Sequence, residues 1–134
     1  MLVSEKITFD FAEICMVNDH IIVVEYLNEE PINVEKGIQV LEAIKRLTNN
    51  RPVALIHNTS DKYIFFSDAL RFMGSQLDES EHGYAVRAIV TTNSAARIAA
   101  TNFINLYKPL IPTKIFAKLD EAIAWTEEVW AASK

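Results

Sequence analysis

The stretch Tyr84–Trp130 alternates between strand-like and helix-like patterns, and this alternation constrains the fold more than any other part of the chain. YAVRAIVTT (Tyr84–Thr92) reads as a strand, and NSAARIAATNFINLYK follows it with Asn93 as a helix cap. Pro109-Leu110-Ile111-Pro112 stops that helix, TKIFAK (Thr113–Lys118) is a short strand, and LDEAIAWTEEVW reads as a helix again. Parallel strands need a helical crossover between them, so a βαβα run of this kind belongs to an α/β fold.

The upstream sequence extends the pattern. Phe11–Val17 and His20–Leu27 are β-rich runs on either side of the turn-forming pair Asn18-Asp19, which predicts a hairpin. Asn33 is a good N-cap, with Val34, Ile38, Leu41, Ile44 and Leu47 at helical spacing behind it and Asn49–Pro52 as the stop. Val53–His57 is a short, nearly continuous apolar run that suits a strand covered on both faces. A polar cluster, Asn58–Asp61, follows it as a loop, and Ser67 caps a further helix with Leu70, Met73 and Leu77 on one face. The expected order is ββαβαβαβα. It describes one α/β domain with four helices and a mixed sheet of about five strands, an antiparallel N-terminal hairpin continuing into largely parallel strands.

Several function classes are disfavoured. A chain of 134 residues suits a single domain with a real core. Its net charge of −5 supplies no electrostatic footprint for nucleic acid and disfavours anionic membranes. The longest apolar runs fall well short of the ~20 residues a membrane-spanning helix needs. MLVSEKITFD does not read as a secretory signal, so a cytoplasmic location is expected. The single Cys15 rules out an internal disulfide or a CxxC site, and its alternating apolar surroundings predict a buried thiol. His20, His57 and His82 have no i, i+4 partner of ligand type, and the isolated Gly37, Gly74 and Gly83 build no phosphate loop. Neither a metal nor a nucleotide cofactor is expected.

Two places could hold a ligand. His57 ends the apolar run Val53–His57 with Asn58 beside it, at the carboxyl end of a strand where α/β sheets tend to bind ligands. The same polar cluster could equally satisfy its own backbone through Asx and Ser/Thr turns. Asn93 and Ser94 open a helix with Arg97 one turn in, an arrangement that suits a carboxylate or phosphate. Arg97 on a solvated face is the plainer alternative. A hydrolase triad of Ser67, His57 and Asp61 or Asp68 can be assembled only on paper, without a GxSxG elbow. Ile98, Phe103, Ile104, Leu106, Tyr107 and Trp125 are expected in the core, while Trp130, beside Glu127 and Glu128, is a candidate homodimer contact.

The element order, together with Arg97, Lys108-Pro109, Pro112-Thr113-Lys114, Phe116 and Ala122-Ile123-Ala124-Trp125, resembles small bacterial proteins of the STAS-like group. These share the fold of anti-sigma factor antagonists, and the match is closest to an uncharacterised branch also described as CRAL-TRIO-like. The resemblance implies a non-enzymatic regulatory domain that binds a protein partner or a second copy of itself. In signalling members a D-S-[ST]-G-like motif carries a phosphorylated serine. Ser67 is the corresponding position here, but it stands in the order Ser-Asp with no glycine after it. The family usually caps its last helix with Ser, Thr or Asp where this chain has Ala117-Lys118, which costs about 1 kcal/mol against a good cap. The alternative function is binding of a small apolar or anionic ligand, in the manner of a lipid carrier. A small hydrolase ranks last.

Overall fold

Six strands form one mixed sheet whose spatial order follows the chain: β1 (Lys6–Thr8), β2 (Ala12–Met16), β3 (Ile21–Tyr26), β4 (Ala54–Ser60), β5 (Val86–Thr91) and β6 (Thr113–Phe116). The computed structural model describes residues 5–28, 32–49, 51–62, 86–107 and 111–132. β1, β2 and β3 pair antiparallel, and β3 through β6 pair parallel. Three helices are described: α1 (Val34–Thr48), α2 (Ser94–Tyr107) and α3 (Leu119–Ala132). The sheet is one strand wider than expected because Lys6–Thr8 adds to the edge of β2, placing Ile7 opposite Ile14. The fourth helix, predicted after Ser67, lies outside the described residues.

Both faces of the sheet are covered, which accounts for the apolar runs in β3 to β5. On one face Ile14, Ile22, Val24 and Leu55 pack against Val40, Leu41, Ile44 and Leu47 of α1. On the other, Ile21, Val23, Ile56, Ala88 and Val90 pack against Ala122, Ile123, Trp125 and Val129 of α3. Burying one such aliphatic side chain is worth about 1.5–3 kcal/mol, so each face is a substantial part of the stability. Val86, Ala88 and Val90 belong to the α3 face, so Arg87 points to the other one, where its guanidinium carbon lies 6.0 Å from the ring centre of Phe103 in α2. α1 and α2 therefore share a face. A sheet that always winds in the same direction through right-handed crossovers requires this.

Local signals account for the helix ends. Asn33 caps α1 by accepting from the Lys36 N–H at 2.8 Å, and Asn49 closes it in the left-handed conformation, its N–H donating to the Lys45 carbonyl. The stripe α1 buries runs through Gly37, Val40, Leu41, Ile44, Leu47 and Thr48, leaving Ile38 exposed at its margin. In α2 the expected core stripe is corrected more sharply. Ala96, Ala100, Phe103 and Ile104 are buried or half-buried, whereas Ile98 is 62% and Leu106 85% exposed. At about 100° per residue, Ile98 falls on the side of the helix away from Ala96 and Ala100, and Leu106 on its flank, about 120° from Ala100.

α3 begins without a good cap. Lys118 sits in the cap position, its carbonyl accepting from the Ala122 N–H at 3.2 Å, and Asp120 accepts from the Glu121 N–H at 2.9 Å one step too late to replace a cap. A lysine there also opposes the helix dipole. Lys118→Asp is expected to stabilise the fold by about 1 kcal/mol and raise Tm by about 3 °C in a thermal melt.

Candidate functional site

β4 carries four polar residues in its second half, His57-Asn58-Thr59-Ser60. The sequence pattern ended the strand at His57, but pairing with β3 and β5 carries the ladder on, so that Val24 faces His57, His57 faces Ile89 and Asn58 faces Val90. The polar cluster expected as a loop is thus strand down to Ser60. There a register shift between Asn58 and Ser60, and a left-handed Ser60 with φ of 52°, bend the chain out of the sheet.

Strand alternation sends His57 and Asn58 to opposite faces: His57 shares the α1 side with Leu55, and Asn58 the α3 side with Ile56. Asn58 uses its side-chain oxygen locally, accepting from the Ser60 N–H at 3.2 Å and the Ser60 hydroxyl at 3.3 Å. Thr59 donates its hydroxyl to the Val90 carbonyl at 3.0 Å. Asn93 caps α2 by accepting from the Ala96 N–H at 3.0 Å, and it donates from Nδ2 to the Asp61 carbonyl at 3.3 Å. The ends of β4 and β5 are further joined by the Thr92 N–H donating to the Ser60 carbonyl at 2.8 Å. Asn58, Asn93 and Ser94 therefore lie toward the carboxyl ends of the central strands β4 and β5. His57 lies deeper, and Arg97 is exposed on α2. Ser67 lies outside the described residues.

That end of the sheet differs from the binding crevice of a doubly wound sheet. Such a crevice opens where strand order reverses and neighbouring crossovers leave to opposite faces. Here the order runs β1 to β6 without reversal.

The buried polar chemistry sits instead in a row across the α1 and α2 face, formed by Tyr26, His57 and Arg87. The Tyr26 hydroxyl lies 3.0 Å from His57 Nδ1, with the two rings stacked at 5.9 Å and 23°. Arg87 is opposite Leu55 in the parallel ladder, one pleat from His57 on the same face. None of the three is more than 4% exposed. Burial, reinforced by the Arg87 guanidinium, holds the His57 imidazole down at about 3, and burial raises the Tyr26 phenol. Both are neutral at physiological pH. An imidazole with so low a pKa is a poor proton acceptor, since a general base works best with a pKa near the operating pH. The row is suited to fixing three strands against each other and to excluding water. Among the described residues no group of three or more His, Cys, Asp or Glu is placed to hold a metal ion.

Tyr26 and Arg87 escaped the sequence reading, although Arg87 left a trace: one cation inside the otherwise uncharged run AVRAIV. A charge in a strand buried on both faces is rare unless something packs on it. Tyr26 left none, because an aromatic at a strand end reads as ordinary core.

The family model of a domain of unknown function, DUF7793, matches residues 15–129, most of the chain and all of the sheet except β1 and the start of β2. The chain belongs to the DUF7793 family. No curated protein and no solved structure matches it. The part matched as DUF7793 contains the whole Tyr26–His57–Arg87 row and the end of the sheet lined by Asn58 and Asn93.

Two outcomes test this row. Tyr26→Phe removes the hydroxyl facing a buried ring nitrogen and is expected to cost about 1–3 kcal/mol in urea unfolding. His57 also makes stability depend on pH. Its folded pKa of about 3 lies below the ordinary 6.5, so the unfolded chain binds the extra proton between those values. The stabilisation is present above pH 6.5 and lost as pH falls toward 3. His57→Phe is expected to flatten that acid limb of a Tm-against-pH curve.

Proposed function

We propose that this chain is a cytoplasmic, non-enzymatic regulatory domain of STAS-like type, and that it docks a protein partner on the outer face of α2. One observation carries the reading. The line Ala95, Ile98, Ala99, Asn102 and Leu106 is exposed and holds no charged residue, with Ile98 and Leu106 presenting most of their surface to water. The solvent side of a surface helix is normally charged or polar. Depletion of charge around exposed apolar side chains is instead the mark of an interface core.

A protein partner fits the chemistry better than a small anion. The cationic and imidazole groups of the Tyr26–His57–Arg87 row are closed to solvent, so an anion would have to displace packed side chains to reach them.

The test compares the wild-type chain with an Ile98→Glu/Leu106→Glu double variant. Both positions face solvent, so the melting curve is expected to stay within about 0.5 kcal/mol of wild type for each change. Affinity capture from the native lysate, quantified by mass spectrometry, is expected to recover a partner with the wild type and at least about tenfold less with the variant. Equal recovery by both would overturn the assignment of this face. Light scattering over a concentration series reads a homodimer through the same surface as a mass increase that the variant abolishes. A stable extra mass on the purified wild type in native mass spectrometry would favour a small ligand instead.

A further inference from the structure

The turn between β2 and β3 is tied to the far end of α3 by charges that no sequence spacing connects. His20 Nδ1 lies 2.6 Å from Asp19 Oδ1, and His20 Nε2 lies 2.5 Å from Glu127 Oε1. Asn18 holds the arrangement in place. Its Nδ2 donates to Glu127 Oε2 at 3.2 Å, and its Oδ1 accepts from the N–H groups of His20 and Ile21, each at 2.9 Å. The imidazole also stacks on the indole of Trp130, with ring centres 5.1 Å apart and planes 16° from parallel. Among the described residues, the charges around His20 come from Asp19 in the turn, Glu127 in α3 and Arg51 beyond α1, which donates to the Asp19 carbonyl at 3.4 Å.

A neutral imidazole carries hydrogen on one nitrogen only. Its other nitrogen is a lone pair, and a lone pair at such a distance from a carboxylate oxygen is repelled. With Asp19 and Glu127 both ionised, the two contacts can exist together only when His20 is the imidazolium, a double donor between two acceptors. We propose that Asp19, His20 and Glu127 form a proton-operated latch: the protonated ring holds the C-terminal turns of α3 on the β2–β3 turn, and deprotonation releases them. Opening it unstacks Trp130 and loosens Val129, which packs against the apolar face of the sheet.

The titration behaviour agrees in sign. Partial burial works against the charged ring, but the hydrogen bonds to Glu127 and then Asp19 outweigh it and raise His20 above its ordinary 6.5. Asp19 is lowered, chiefly by its hydrogen bond to His20. A raised histidine contributes fully below pH 6.5 and loses its contribution as pH rises through the folded value. A lowered aspartate contributes above 3.8 and loses it as pH falls through its folded value. The latch is therefore closed between these limits and opens on the alkaline side of 6.5. His57 titrates on the other side of that value and does not interfere.

The experiment is an NMR titration of the isotope-labelled full chain from pH 5 to 9, following the His20 ring and the backbone of residues 127–132. A His20 midpoint above 6.5 is expected, with the α3 signals moving toward coil values at the same midpoint. Amide protection there, corrected for intrinsic rates, should fall about two- to fivefold, the range for half-exposed ion pairs. Glu127→Gln is expected to lower the midpoint, and His20→Gln to leave the α3 signals unchanged from pH 6 to 9. A His20 midpoint at or below 6.5, α3 signals that do not follow it, or the same α3 transition in His20→Gln would each overturn the latch.

Discussion

β4 is the constraint on which the other elements depend. Like β5, it has parallel neighbours on both edges, and its two faces are covered by α1 on one side and α3 on the other. Leu55 and Ile56 supply one apolar residue to each core. The polar half of the strand is tolerated inside because its groups are answered: His57 by Tyr26, Asn58 by Ser60, Thr59 by the Val90 carbonyl. A buried polar group without such a partner would cost a kilocalorie or more, on the order of 1–3 kcal/mol each. The strand holds the domain together because its neighbours complete it.

Much of this was legible in the residues. Asn33 and Asn93 marked two helix starts correctly, since a side-chain oxygen at a cap answers a purely local need. The alternation of apolar runs with capped helices gave the α/β class and the parallel half of the sheet. What escaped were effects of position in three dimensions. Lys6–Thr8 becomes a strand only because β2 offers it an edge. Ser60 ends β4 three residues later than the apolar pattern does, because hydrogen bonding to β5 continues after the hydrophobic signal stops. Ile98 and Leu106 looked like core by composition. Helical phase separates them from Ala96 and Ala100, and residue type alone carries no phase. The His20–Glu127 contact joins positions 107 apart, and no local rule points to it.

Two of the three histidines pull the protein's pH response in opposite directions. His57, enclosed and kept neutral, makes acid unfavourable. His20, placed between carboxylates, makes alkali unfavourable. The distinction lies in their neighbours. One ring is surrounded by apolar packing, a phenol and a guanidinium, and the other by two carboxylates and an indole. These two rings therefore act on stability from opposite sides of pH 6.5.

The unreversed strand order also bears on how the domain is made. Each strand is laid beside one that came before it, so a chain emerging from the ribosome finds every pairing partner already synthesised. Contacts between neighbouring units favour fast folding, and synthesis from the N-terminus favours building the sheet in that order. The helices α1 and α2 cover one face as the sheet grows. Among the described elements, the other face, with Val23, Ile56, Ala88 and Val90, waits for α3, which follows all six strands. Among these elements, the apolar surface that α3 covers is thus left open until α3 is made. Chaperone binding or self-association would be concentrated on that face and in that interval.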